Sequence, residues 1–421
     1  MSELALHGGP PAVTAPLPRA WPWLSEDART RVDGLLAEGE LSDYDYGPVL
    51  AEFERTVADY HGVPYALAAS SGTDALLSAY LAVGVRPGDE VLVPSYSFHA
   101  TVAPLFLLSA VPVLCDVDPV TGNIDPADAE ARITARTRAV AVTHLWGHPV
   151  DMDAVLALAG RHGLKVVEDG SHAHGARYRG ALVGTLGDAG VFSLGARKMV
   201  SGGMGGVLVT SDEHVHREPQ RLGHTHERAA HSWPAEDVAV GLGGNHRISL
   251  VAAAICTAQY RDLDARIAVK RAVLEGLSAR LEGVPGLRPQ FTAPGVTRGG
   301  WYGYKARYVP GELGGLPLDD FVAALQAEGL PVDRPSNRPL HWSQLFTQRR
   351  LEPAYYQPGR ERPLYRRGEL PGAEAYYEAS LSFPAPRLHE PCEDVLDQWR
   401  DGIVKVVKNA GRLRGLSANS H

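Results

Sequence analysis

Cysteine is nearly absent from this chain. Cys115, Cys256 and Cys392 are the only three in 421 residues. Their spacing matches neither a zinc site nor a disulfide framework, so a reducing, cytoplasmic setting is the expectation. Long apolar runs are also missing. The longest, Thr101 to Cys115, is too short to span a bilayer and is interrupted by Pro104 and Pro112. Met1 to Gly9 has neither a basic region nor an apolar stretch, so no signal peptide is expected. Positive charge is in deficit: Lys and Arg number 41 against 49 Asp and Glu, a net −8. With no basic patch interleaved with aromatics, neither nucleic acid nor a membrane is an expected partner. The 45 glycines and 31 prolines are dispersed, without a low-complexity tract or a repeat.

What is present reads as an ordinary globular protein, 44% apolar and 21% charged. Its length exceeds one ordinary core, so more than one domain is expected. Residues 1–20, rich in Gly and Pro, read as an arm without regular structure. Glu26–Glu38 has helical spacing, with Val32, Leu35 and Leu36 on one face. From Tyr65 to about Thr210, short apolar runs alternate with helical segments. The runs include Tyr65–Ala69, Glu90–Pro94, Val111–Cys115, Ala139–Thr143, Leu164–Glu168, Gly190–Ser193 and Gly206–Val209. The helical segments include Asp74–Val83, Thr101–Ala110, Pro126–Ile133 and Met152–His162. Apolar strands that do not alternate, separated by helices, predict an α/β domain of three layers with a mostly parallel sheet. Ligands in such sheets gather at the carboxyl ends of the strands. The predicted large domain covers 21–255. One long helix over Ser249–Leu281 then leads into a smaller C-terminal α+β domain, the two together making 256–421.

Two residues suggest the chemistry. Lys198 lies in Phe192-Ser193-Leu194-Gly195-Ala196-Arg197-Lys198, ahead of Gly202-Gly203-Met204-Gly205-Gly206, and Asp169 ends the run Leu164-Lys165-Val166-Val167-Glu168-Asp169. A lysine in a glycine-rich loop and an aspartate at a strand end are the anchors that pyridoxal 5'-phosphate (PLP) needs. The lysine forms the Schiff base, and the aspartate keeps the pyridine nitrogen protonated. The other reading of Lys198 is a surface lysine, and of Asp169 a capped, solvated turn. Ser70-Ser71-Gly72-Thr73-Asp74 follows a strand and opens a helix, either as an anion cradle or as a plain N-cap. Phe98 is either core or a ring to stack on a cofactor. His172 and His174 alternate, but no third ligand has metal-site spacing, and no metal is expected. Ser193 is a phosphate ligand or a strand-end hydroxyl. Asn245 and Arg247 reach a phosphate or substrate oxygen, or belong to a helix start capped by Ser249. His224-Thr225-His226-Glu227-Arg228 reads as an exposed loop.

In order and spacing together, these segments resemble the DegT/StrS family of PLP-dependent aminotransferases, which act on keto-sugars, keto-cyclitols and related antibiotic precursors. The resemblance rests on Ser71-Gly72-Thr73-Asp74-Ala75-Leu76, Val93-Pro94-Ser95-Tyr96-Ser97-Phe98, Leu114-Cys115-Asp116-Val117-Asp118, Glu168-Asp169 through His174-Gly175, Phe192-Ser193 with Lys198, and Asn245-His246-Arg247. It runs from about residue 5 to about residue 400. It implies the aspartate-aminotransferase-like fold type I, with Lys198 as Schiff-base residue and Asp169 on the ring nitrogen. It further implies His172 at the ring oxygen, Phe98 stacked on the ring, and Gly72, Thr73 and Ser193 on the phosphate. Asn245 would reach the phosphate of the neighbouring subunit, which implies a homodimer with shared active sites. Two departures stand out: Met204 replaces the usual Glu, and Gly170-Ser171 replaces paired small residues, often alanines. The opening Leu6-His7-Gly8-Gly9-Pro10-Pro11 with Trp21-Pro22 looks more like cyclitol and aminobenzoate-type members than nucleotide-sugar members.

The expected function is transfer of an amino group from L-glutamine or L-glutamate to a keto-cyclitol or keto-sugar in antibiotic biosynthesis, with ping-pong kinetics. Two alternatives stay open on sequence: a PLP enzyme doing elimination or carbon–carbon chemistry on an amino acid, and a regulatory protein that binds PLP or sugar without turnover. Lys198 argues against the dehydratase branch of the family, where histidine replaces it. Acceptor specificity is expected in segments such as His224–Arg228, Arg334–Trp342 and Pro353–Arg367.

Overall fold

The computed structural model describes residues 3–18, 21–22, 24–234, 244–348 and 363–413. Its strands are β1 (Tyr65–Ala69), β2 (Glu90–Pro94), β3 (Val111–Cys115), β4 (Thr137–Thr143), β5 (Lys165–Asp169), β6 (Arg177–Tyr178), β7 (Ala181–Leu182), β8 (Ala189–Ser193), β9 (Gly206–Thr210), β10 (Leu287–Arg288), β11 (Val296–Thr297), β12 (Tyr304–Tyr308) and β13 (Ser380–Phe383). The α-helices begin with α1 (Glu26–Glu38), α2 (Pro48–His61), α3 (Gly72–Ala82), α4 (Ala103–Leu107), α5 (Pro126–Ala131), α6 (Met152–His162) and α7 (Glu213–Arg217). They continue with α8 (His226–Ala230), α9 (Leu250–Arg261), α10 (Leu263–Leu281), α11 (Leu318–Ala327), α12 (Gln344–Thr347), α13 (Pro371–Glu378) and α14 (Glu393–Lys408).

The central sheet has seven strands in the order β1-β9-β8-β5-β4-β2-β3. Strands β3, β2, β4, β5 and β8 pair in parallel, and β9 runs antiparallel between β8 and β1. Apolar side chains leave both faces of these strands. Leu67, Ala69 and Leu208 pack with α3, α4 and α6, whereas Ala66, Ala68, Val207 and Val209 pack with α2 and α9. Because strand side chains alternate, these two clusters occupy opposite faces, which makes three layers. The sheet is the mostly parallel one predicted.

A second core surrounds the antiparallel sheet β10-β12-β13 and takes residues from α10, α11 and α14. The N-terminal segment belongs to it. Leu4 is buried there, Glu328 accepts hydrogen bonds from the Ala5 and Ala12 amides at 2.8 and 3.0 Å, and Ala5–His7 forms a 3-10 turn rather than irregular chain. Strand β11 crosses back to pair with β6, and Leu340, Phe346, Tyr365 and Leu370 pack into the core on one face of the large sheet. Among the described residues, no helix is long and apolar enough to cross a membrane.

Two predicted helices are corrected. Ser249–Leu281 is broken at Asp262 into α9 and α10. The halves serve different cores, since Ala252, Ala253 and Cys256 face the large sheet and Leu274, Leu277 and Leu281 face the smaller one. Ser249, moreover, makes no side-chain cap bond. Thr101–Ala110 shrinks to α4, because His99–Thr101 forms a 3-10 turn, Pro104 sits in the first turn of α4, and Ser109 takes a positive φ of 54°.

Candidate functional site

The carboxyl ends of the parallel strands open into a cleft of about 340 Å³. Of the sequence-derived candidates, Gly72, Thr73, Phe98, Asp169, His172, Ser193 and Lys198 line it. Asn245 and Arg247 do not. Asn245 is exposed and its Oδ1 accepts from Arg247 Nε at 3.0 Å, while Arg247 donates to the Asp43 carbonyl and lies over the Tyr44 ring.

Asp169 is held from two sides. Its Oδ2 accepts from Thr101 Oγ1 at 2.7 Å and its Oδ1 from the Ser171 amide at 3.1 Å. The preceding residue, Glu168, is wholly buried on the other face of the strand. It accepts from His144 Nε2 at 2.9 Å and from the Gly184, Leu186 and Gly187 amides. Burial works against its charge, but these donors prevail and lower its pKa. Strand β5 thus ends in two anchored carboxylates, one structural and one facing the cleft.

Lys198 follows Arg197, whose φ of 70° turns the chain sharply. The Trp21 indole donates to the Lys198 carbonyl at 2.6 Å, and Lys198 Nζ lies 3.9 Å above the Tyr302 ring. Burial lowers this amine to about 8, with Asp169 pulling the other way. His172 is buried and stacks on Tyr302 at 4.2 Å and on Trp146 at 5.1 Å. Burial first, then the charges of Lys198 and Lys305, push it well below 6.5, so the ring is neutral. Its Nδ1 accepts from the Trp146 amide at 3.5 Å, which leaves Nε2–H as a donor.

Ser71 caps α3, its Oγ accepting from the Asp74 amide at 3.1 Å. The cap and the cradle are compatible, since Ser71, Gly72 and Thr73 all line the cleft. A Cβ on Gly72 would lie 2.7 Å from Ser193 Cβ, and one on Gly206 would lie 2.2 Å from the Ser71 carbonyl oxygen. The backbones of α3, β8 and β9 therefore approach closely at these two glycines, beside the hydroxyls of Ser71, Thr73 and Ser193 that line the cleft. Phe98 is 46% exposed at the cleft, so it is not core. Met204 also borders the cleft and is 67% exposed.

Several cleft residues escaped the sequence reading. Tyr302 and Trp146 come from distant segments with no motif. Ser336 and Asn337 come from the Arg334–Trp342 segment, one of those expected to set acceptor specificity. Of Pro353–Arg367, residues 353–362 lie outside the described residues. The His224–Arg228 segment is not the exposed loop expected. Arg228 is buried and paired with Glu54 at 2.8 Å, and Thr225 caps α8. The segment instead supplies a partner for a buried carboxylate. Among the described residues, no three His, Cys, Asp or Glu side chains are grouped to hold a metal.

Comparison with known proteins adds to this geometry. A model of the DegT/DnrJ/EryC1/StrS aminotransferase family matches residues 23–390. The L-glutamine:2-deoxy-scyllo-inosose aminotransferase of Streptomyces fradiae is 39% identical, over 98% of this chain and 99% of its own. The L-glutamine:scyllo-inosose aminotransferase of Streptomyces griseus is 36% identical, over 97% and 98%. Among solved structures, 3-amino-5-hydroxybenzoic acid synthase superposes with a TM-score of 0.78 at 28% identity, covering 94% of this chain and all of its own.

Proposed function

This chain belongs to the DegT/DnrJ/EryC1/StrS aminotransferase family, and on that premise we propose that it moves the amino group of L-glutamine onto the ring ketone of a keto-cyclitol. It is an aminotransferase, and its cofactor is pyridoxal 5'-phosphate. The acceptor and donor follow from the relatives' names, which supports an aminocyclitol product over a nucleotide-linked sugar.

The cleft suits the cofactor. A half-buried amine and an anchored carboxylate share it with a tight corner of backbone and small hydroxyl side chains where α3 meets β8. When bound, PLP supplies an aldehyde that takes up the amino group and a ring that accepts the electron pair. Lys198 would hold the aldehyde carbon, Asp169 the ring nitrogen and His172 the phenolic oxygen. Phe98 would cover the ring, while Gly72, Thr73 and Ser193 would hold the phosphate. With its amine near 8, Lys198 Nζ exchanges protons close to neutrality, so the same atom removes the donor's Cα proton and later returns one to the product carbon.

Asn245 is exposed and Arg247 is half-buried against Asp43 and Tyr44, both outside their own cleft, which supports a homodimer in which Asn245 of the partner subunit reaches the phosphate. We assign Arg247, the substrate-contact candidate, to the same shared surface. The cytoplasm is the setting we propose, consistent with free thiols at Cys115, Cys256 and Cys392.

The observation that carries this reading is the convergence of Lys198, Asp169 and the first turn of α3 on one cleft. Two measurements test it. Borohydride reduction followed by peptide mapping should leave a pyridoxyl group on Lys198. Mass spectrometry after incubation with L-glutamine and a panel of keto-cyclitols should show an aminocyclitol and the keto acid of glutamine. A pyridoxyl group elsewhere, or keto-acid formation without an aminated product, overturns the assignment.

A further inference from the structure

Behind the Asp169 carboxylate lies a file of three buried hydroxyls. Thr101 Oγ1 is 2.7 Å from Asp169 Oδ2, Ser97 Oγ is 2.8 Å from Thr101 Oγ1, and Thr143 Oγ1 is 3.0 Å from Ser97 Oγ. Ser97, Thr101, Thr143 and Asp169 are all at most 4% exposed. Three stretches contribute: Ser97 follows β2 and Thr101 closes the adjoining 3-10 turn His99–Thr101, Thr143 ends β4, and Asp169 lies opposite it in register at the end of β5. The Tyr80 hydroxyl of α3 pins the Thr101 carbonyl at 2.6 Å.

Counting protons fixes the direction of the file. A carboxylate offers only lone pairs, so Thr101 donates to Asp169. A hydroxyl has one proton, so Thr101 must accept from Ser97. Ser97, its proton spent, must accept from Thr143. The remaining 3.4 Å approach of Thr143 to Thr101 then carries no proton of its own. All protons point toward Asp169, and at buried positions such an oriented chain strengthens each bond in it.

We infer that Thr101 is a positioning residue for the aminotransferase reaction, the last member of a hydroxyl relay, Thr143 to Ser97 to Thr101, that fixes Asp169 Oδ2 and stabilises its negative charge. The inference rests on the assignment of Asp169 to the cofactor's ring nitrogen. Phe98 lies between Ser97 and Thr101 on the same turn, so the relay also ties the residue proposed to cover the ring to the one proposed to bind its nitrogen. Without the relay the carboxylate keeps its place in the chain but becomes a stronger base, draws the proton off the pyridine nitrogen and weakens the ring as an electron sink.

The test uses the holoenzyme and four variants. Thr101→Val, which removes the hydroxyl at nearly constant volume, should lower kcat by about 10- to 100-fold, the cost of a charge-assisted hydrogen bond. KM for both substrates should change less than about twofold. Thr101→Ser should restore most of the rate. The visible absorption maximum of the bound cofactor should move in Thr101→Val in the same direction as in Asp169→Asn, and not in Thr101→Ser. In a double-mutant cycle, Thr101→Val should add little to Asp169→Asn, because one acts through the other. Near-normal kcat in Thr101→Val, additive losses, or no rescue by serine would each overturn the relay. If Thr101→Val does not fold, Ser97→Ala breaks the file one step back and should lower kcat severalfold, again without adding to Asp169→Asn; wild-type behaviour there is the overturning result. An active Asp169→Asn would instead sink the assignment of Asp169 itself, so the two failures are distinguishable.

Discussion

Burial holds the Lys198 amine at about 8 although Asp169 favours its charged form. An amine attacks an aldehyde only when unprotonated. Uptake of PLP by the apoprotein should therefore quicken about tenfold per pH unit below 8 and level off above it, as stopped-flow absorbance would record. A flat rate between pH 6 and 8 would contradict a poised amine. At Asp169 the expected outcome of Asn substitution is retained cofactor with a kcat loss of about 30- to 1000-fold, or about 2–4 kcal/mol, since an amide cannot hold a pyridinium proton. Near-normal turnover with cofactor bound would falsify that role.

The elements that shape the phosphate corner are α3, β8 and β9. Their approach depends on Gly72 and Gly206, where an added Cβ would meet Ser193 or the Ser71 carbonyl well inside van der Waals contact. Neither obstacle is a flexible side-chain tip, so the helix or strand itself would have to move. Gly72→Ala should weaken PLP binding by about tenfold or more, equivalent to about 1.4 kcal/mol, and the forced shift should also lower the melting temperature of the apoprotein. Cofactor titration by fluorescence measures the first quantity and calorimetry the second. Unchanged affinity would mean that the corner does not hold the phosphate.

At the scale of the whole molecule, the proposed dimer makes a distinctive prediction. A Lys198→Ala subunit paired with an Asn245→Ala subunit has one site with both lesions and one with neither. If each parent homodimer is inactive, verified heterodimers should regain up to about half of wild-type activity. No recovery would rule out shared sites. Acid stability is a second global property. Burial lowers His61 to about 4, His148 to about 3, His216 to about 4 and His224 to about 3. Below about 6.5 the unfolded chain protonates each histidine while the fold keeps it neutral. Stability is thus fully present above pH 6.5 and lost as pH falls toward 3–4, at about 1.4 kcal/mol per pH unit for each histidine. His61→Leu should lessen the fall between pH 7 and pH 5 by about 2 kcal/mol in denaturant unfolding. An unchanged pH dependence would show that His61 is not kept neutral.

What sequence alone determined was local or contiguous. Apolar runs located β1, β2 and β3 to the residue, because a strand buried on both faces needs no partner to be recognised. The order of the Lys198, Asp169 and Ser71–Thr73 segments identified the family, because each lies within a few residues of one turn. Tertiary structure decided what meets across the chain. Tyr302 reaches Lys198, and Thr101 reaches Asp169, only because the order of the strands and the return of the C-terminal segment bring them together. The break at Asp262 follows from two cores drawing on successive helices, which no periodicity within either helix records. Arg228 is buried because Glu54, 174 residues away, needs a counter-charge. A side chain's neighbours are fixed by the path of the whole backbone, whereas its tendency to lie in a strand, a cap or a glycine turn is fixed by the few residues beside it.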